Sequence, residues 1–169
     1  MTAKYIDFRE SMTMELTDFI QSQAGALSVA DLDRLISDLP ALRERFARLP
    51  LQTYTHLPDQ LEFLSLFVEE QISGCDLAEE PVAEAAFALL YFQRATDLIP
   101  DSIPDMGLLD DAMIVSMVLR RQEHAFKRSS HAYMLRWPEA KFDVDQLLSV
   151  ISPLRVTSFC SSLSIQPPD

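Results

Sequence analysis

The sequence predicts an all-α protein, a helical bundle of six or seven helices around a central apolar helical hairpin. Three observations carry that prediction. Apolar residues recur at intervals of three and four along most of the chain, the period of one helix face. Glycine is scarce, with 3 in 169 residues; helices tolerate it poorly and strand hairpins rely on it. The 10 prolines fall mostly where such helical stretches would start or stop.

Residues 5–23 form the first helix. Tyr5, Phe8, Met12, Leu16, Phe19 and Ile20 make its buried stripe, with Asp7, Glu10, Glu15 and Asp18 between them. Ala24-Gly25 ends it. Ser28 opens the second, and Asp31 three residues on completes a capping box with a short acid. Its stripe is Val29, Leu32, Leu35 and Ile36. Asp38 with Pro40 restarts a third, short helix through Leu42, Phe46 and Leu49, and Pro50 closes it.

Pro58 begins the fourth helix, with Leu57, Leu61, Leu64, Phe67, Val68 and Ile72 on one face and Gly74 as its stop. Pro81 marks the start of the fifth, where Glu79 and Glu80 suit the positive end of the helix dipole. From Val82 to Phe92 this helix is apolar nearly all round, broken only by Glu84. A helix of that kind sits at the centre of a bundle or faces lipid. The sixth runs from Gly107 to Lys127. Asp110 and Asp111 stand near its start, and Arg120, Arg121, Lys127 and Arg128 near its end, again matching the dipole. The central hairpin is thus residues 81–95 and 107–127.

A single helical domain spans residues 1–169, with 81–127 as its core and 129–169 as a C-terminal extension. In the extension Tyr133, Leu135 and Trp137 pack back on the bundle. Asp143 caps a short helix with Val144, Leu147, Leu148 and Ile151, broken by Pro153. Residues 154–163 fit helix and strand alike. A chain of this length buries roughly 70% of its unfolded surface and needs no metal or disulfide to fold.

The formal net charge of -12 speaks against nucleic acid, whose binding relies on Lys and Arg displacing counterions. It also speaks against anionic membrane surfaces. A basic protein partner is compatible with it. The 2 cysteines, Cys75 and Cys160, form no CxxC pair, so a reducing, cytoplasmic setting is expected. The first residues lack the apolar run of a signal peptide. No stretch of about 18–20 apolar residues predicts integral membrane insertion.

The most specific stretch is 97–111, DLIPDSIPDMGLLDD. Pro100 and Pro104 cannot continue a helix and bias Ile99 and Ile103 toward extended backbone. Leu98, Ile99 and Ile103 can then plug the hairpin end while the chain reverses. Gly107 permits a positive φ or a close backbone approach. Asp105 is placed to cap the sixth helix, and Asp97 and Asp101 to accept from free N–H groups of the turn. Turn chemistry therefore accounts for the whole motif, with Pro100, Ile103, Pro104 and Gly107 as its structural residues. The competing reading is a carboxylate site for Mg²⁺ or Ca²⁺ built from Asp97, Asp101, Asp110 and Asp111, with Asp105 as an extra ligand. The spacing is not that of an EF-hand. Counted from Asp101, proline is fourth, glycine seventh, and no glutamate is twelfth.

From Tyr91 to Asp111 the chain resembles the YkvA-like family, a family of unknown function found mainly in bacteria. The matching residues are Asp97, Leu98, Ile99, Pro100 and Asp101, then Ile103 and Pro104, then Gly107, Asp110 and Asp111, with Tyr91 as the upstream aromatic. The resemblance covers about Pro81 to Leu119. Two positions depart from the pattern: Ala95 stands where a proline is usual, and Ser102 where an apolar residue is usual. The resemblance implies a helical hairpin. It brings no catalytic residues to carry over.

Other constellations are sparse. His124 and His131, with Glu123 beside the first, lack a third ligand at zinc spacing and read as surface histidines. His56 reads as standing at a helix entrance. No GxSxG, Walker loop or GxGxxG is present, and Cys75 has no evident histidine partner. Arg43, Arg45 and Arg48, and the basic group from Arg120 to Arg128, read as solvated faces or dipole partners. The pairs Met12–Met14 and Met113–Met117 read as core filler. The expected function is a non-enzymatic interaction or scaffold protein that binds a protein partner or itself. Metal-dependent hydrolysis at the acidic turn and peripheral membrane association through the apolar hairpin are the alternatives.

Overall fold

The computed structural model describes residues 2–49, 54–72, 79–94, 108–133 and Pro138. Those residues form six helices and no strand: α1 (Thr2–Gly25), α2 (Val29–Phe46), α3 (Leu57–Ile72), α4 (Glu80–Gln93), α5 (Leu109–Arg121) and α6 (Glu123–Tyr133). The apolar run of the sequence becomes the centre of the bundle. α4 packs against α1, α2, α3 and α5, and every residue from Glu84 to Phe92 is buried. Its alanines, Ala85, Ala86 and Ala88, let neighbouring backbones approach, while Phe87 and Phe92 meet Phe19 and Phe46 edge-to-face at 5.8 and 5.4 Å. α5 is buried from Leu109 to Leu119. The hairpin's apolar surface is therefore taken up inside the protein.

Two helix boundaries differ from the sequence reading. Pro40 does not restart a helix; α2 runs through it without a break. The stripe Leu32, Leu35, Leu39, Leu42 and Phe46 is buried at alternating intervals of three and four, so a break would take half of it off the core. Pro40 itself is exposed, where its ring meets solvent and its missing N–H costs one intrahelical bond. The second difference is at Gln122. The expected helix from Gly107 to Lys127 divides there, with Gln122 at φ -100° and ψ 17°. The division lets Phe126 reach the α3 aromatics, 4.7 Å from the Phe67 ring and 5.7 Å from that of Phe63.

Some apolar assignments also change. Met14 is 64% exposed rather than core, because α1 buries Leu16, Ile20 and Ala24 and Met14 lies round the helix from that line. Val29 is 61% exposed; it is the first helical residue of α2, ahead of the buried turns that start at Leu32. Met113 and Met117 are buried as expected. The capping box at Ser28 is present. The Asp31 N–H donates to Ser28 Oγ at 3.3 Å, and the Ser28 N–H donates to Asp31 Oδ2 at 2.9 Å. The Ser28 hydroxyl also donates to Asp31 Oδ2 at 2.7 Å; that bond first, and the one from the Ser28 N–H second, hold the Asp31 carboxyl below its usual range. Gly74, the Met12 side chain and the extension beyond Tyr133, apart from the buried Pro138, lie outside the described residues.

Of the arginines expected on solvated faces, Arg48, Arg120 and Arg128 are exposed, whereas Arg43 and Arg45 tie helices together. Arg43 reaches from α2 to Glu62, Ser65 and Glu69 of α3, at 3.5, 3.1 and 2.6 Å. Arg45 lies 4.8 Å over the Phe92 ring and donates to the Phe92 and Gln93 carbonyls at the end of α4.

Candidate functional site

α4 and α5 are the two arms of the hairpin, and each end of their contact carries a buried polar link. At the motif end, the last turn of α4 lies beside the first turn of α5. The Tyr91 hydroxyl donates to Asp110 Oδ2 at 2.8 Å. Asp110 and Asp111 are 1% and 3% exposed. Two carboxylates in the first turn are favoured by the helix dipole, which offsets part of the cost of burying them. The cap position of α5 is Leu108, with no side-chain cap. Asp105, the expected cap, lies outside the described residues.

Asp110 and Asp111 are the two of the four expected metal ligands that the structure places, side by side in one helical turn. Asp97 and Asp101 lie outside the described residues, as do Pro100, Ile103, Pro104 and Gly107. Among the described residues, no three His, Cys, Asp or Glu side chains gather as a metal-binding group. One polar residue that the sequence gives no reason to single out stands out on α3: Gln60 is fully buried, and neither its side-chain nitrogen nor its oxygen has a hydrogen-bond partner among the described residues. It sits in the first turn of α3, between Pro58 and Leu61, where a glutamine gives no warning of burial.

At the opposite end, Glu84 is 0% exposed and pairs with Arg121 of α5. Arg121 Nη2 donates to Glu84 Oε1 at 2.9 Å, and its Nε lies 3.3 Å from both carboxylate oxygens. Nη2 also donates to Glu80 Oε1 at 3.1 Å, and Gln21 Nε2 of α1 donates to the same oxygen at 3.3 Å. The Glu84 bonds hold the Arg121 guanidinium above its usual basicity. Beside this network opens a cleft of about 410 Å³, lined by the apolar Ala24, Leu27 and Ala83 together with the polar Gln21, Glu80 and Glu84. The one sequence sign of this end was Glu84 interrupting an apolar run.

The remaining expectations concern α6 and its surroundings. His124 and His131 are exposed on α6. Glu123 is bonded by Lys127 one turn on, which holds its carboxyl below the usual range. His56 is exposed just ahead of α3, and its carbonyl accepts from the Gln60 N–H at 3.0 Å. Cys75 lies outside the described residues. Among the described residues, no helix is long and apolar enough to cross a membrane.

Residues 82–117 match the family model described as "Protein of unknown function (DUF1232)". The matched segment comprises nearly all of α4 and most of α5, with the acidic motif between them. Neither a curated protein nor a solved structure matches the chain.

Proposed function

From a hairpin segment of the YkvA-like family, we propose that the chain is a non-enzymatic helical interaction or scaffold protein. It offers its outer helical faces to a protein partner or to a second copy of itself, in a reducing cytoplasmic setting. One observation carries the reading: Asp110, an acid of the motif, is buried and engaged by the Tyr91 phenol across the hairpin. A carboxylate in that position ties two helices together. The apolar residues of both arms are likewise buried, so they support the scaffold.

A second reading is a divalent-cation-dependent hydrolase that uses Asp97, Asp101, Asp110 and Asp111. The burial of two neighbouring carboxylates favours it, since like charges in a low dielectric repel and a cation relieves them. Thermal denaturation in EDTA and in millimolar Mg²⁺, Ca²⁺ or Mn²⁺ separates the two. A scaffold keeps the same melting temperature in all four, and Asp110→Asn changes it equally in each. An ion that raises the parent's melting temperature by several degrees, with the gain lost in Asp110→Asn, overturns the scaffold reading. Phosphate-ester hydrolysis would then be the first activity to assay.

A further inference from the structure

We infer that the cleft between the C-terminal end of α1 and the first turns of α4 receives a lysine or arginine side chain from a basic protein partner. This rests on the interaction-protein reading and names the chemistry of the partner. The cleft, at about 410 Å³, is in the size range of small-ligand sites. Its lining is of two kinds. Ala24, Leu27 and Ala83 offer an apolar surface suited to the methylene stem of a long basic side chain. Glu80 offers an exposed carboxylate to the head group, beside the buried Glu84–Arg121 pair.

The charge does not balance within the protein. Glu80 and Glu84 share one guanidinium, that of Arg121. Glu84 is buried and bonded through both oxygens. Glu80 is different: its side chain is 59% exposed, and both of its hydrogen bonds use Oε1. No hydrogen bond among the described residues uses its Oε2. An incoming cation at that oxygen completes the charge balance at the cleft, and the surplus of 26 acidic over 14 basic residues steers such a partner toward the surface. Gly25 lines the cleft, and a β-carbon there would meet no atom within 4 Å, so a larger side chain has room to occupy that space.

The test is an NMR titration of the full chain with acetyl-Gly-Arg-Gly-amide, with acetyl-Gly-Gln-Gly-amide as the neutral control and n-butylguanidinium as the free cation. The arginine peptide is expected to shift the amides of residues 21–27 and 80–84 saturably. Glu80→Gln should weaken that binding about fivefold, the scale of one exposed ion pair. Gly25→Leu should abolish it by filling the mouth, while Glu70→Gln, a remote exposed acid on α3, should leave it unchanged. The proposal falls if the neutral peptide gives the same shifts, if Glu80→Gln binds as the parent does, or if no saturation is seen. Tighter binding of n-butylguanidinium than of the peptide overturns the protein source of the cation. The ion-dependent melting that would overturn the scaffold reading is a separate measurement, so failure of one is distinguishable from failure of the other.

Discussion

The hydroxyl of Tyr91 and the carboxylate of Asp110 meet at 2.8 Å in the interior, one from the last turn of α4 and one from the first turn of α5. Removing the donor leaves a buried carboxylate with one fewer hydrogen bond. Tyr91→Phe is therefore expected to lower unfolding stability by about 1–3 kcal/mol. Urea denaturation followed by circular dichroism reads this directly, and an unchanged midpoint would show that the bond contributes nothing net.

Arg121 and Glu84 should give a larger effect. Arg121→Met strands a carboxylate that is 0% exposed, and loss of one partner of a buried pair costs about 3–5 kcal/mol. The double change Arg121→Met with Glu84→Leu should recover most of that loss, because no charge is then left buried. A double variant no more stable than the single one would mean that the packing, rather than the charge, is what Arg121 supplies.

Pro40 offers a stabilising change. It is exposed and lies inside the continuous helix α2. Pro40→Ala restores the N–H that the preceding turn lacks, and should raise stability by about 1–2 kcal/mol after the greater freedom of the unfolded chain is allowed for. A lower melting temperature would show that the ring makes a contact worth more than the hydrogen bond.

The capping box should be pH-dependent. Bonds from Ser28 depress the Asp31 pKa, so Asp31 stabilises the fold fully above the ordinary aspartate range. That contribution disappears as pH falls through the lowered value. Asp31→Asn should therefore melt below the parent at neutral pH and converge with it in acid. A gap that stays constant from neutral to strongly acidic pH would exclude the charged form of the cap as its source.

What the sequence made legible was local. Ser28 and Asp31 stand three apart and cap α2, and the apolar run from Val82 to Phe92, interrupted only by Glu84, marked α4 as a helix for the centre of a bundle or for lipid, of which packing chose the centre. Pro40 misled, because a single-residue rule gave way to the buried stripe from Leu32 to Phe46. Gln122 gave no sign of a break, being neither glycine nor proline. The division accompanies the packing of Phe126 on Phe63 and Phe67, which lie far back in the chain. The polar links were hidden for the same reason. Glu84 and Arg121 are 37 residues apart and each alone resembles an ordinary helix residue. Tyr91 and Asp110 both belonged to the motif, yet only the packed hairpin joins them. The burial of Gln60 likewise depends on neighbours from other helices.

The two links lie at opposite ends of a contact whose middle is apolar on both arms but for the buried Ser116, and this bears on register. Alanines, leucines and valines of α4 and α5 would pack almost as well if one helix slid a turn along the other. Glu84 would then face no guanidinium and Asp110 no phenol, each inside the protein. Polar bonds at both ends thus make every slipped alignment carry a stranded charge, so the hairpin's uniqueness comes from two bonds and its cohesion from the methyl groups between them. A chain carrying Tyr91→Phe, Asp110→Leu, Glu84→Leu and Arg121→Met is expected to keep its helical circular dichroism while its amide NMR spectrum broadens into several alignments. Sharp, single resonances from that variant would show that the apolar packing alone sets the register.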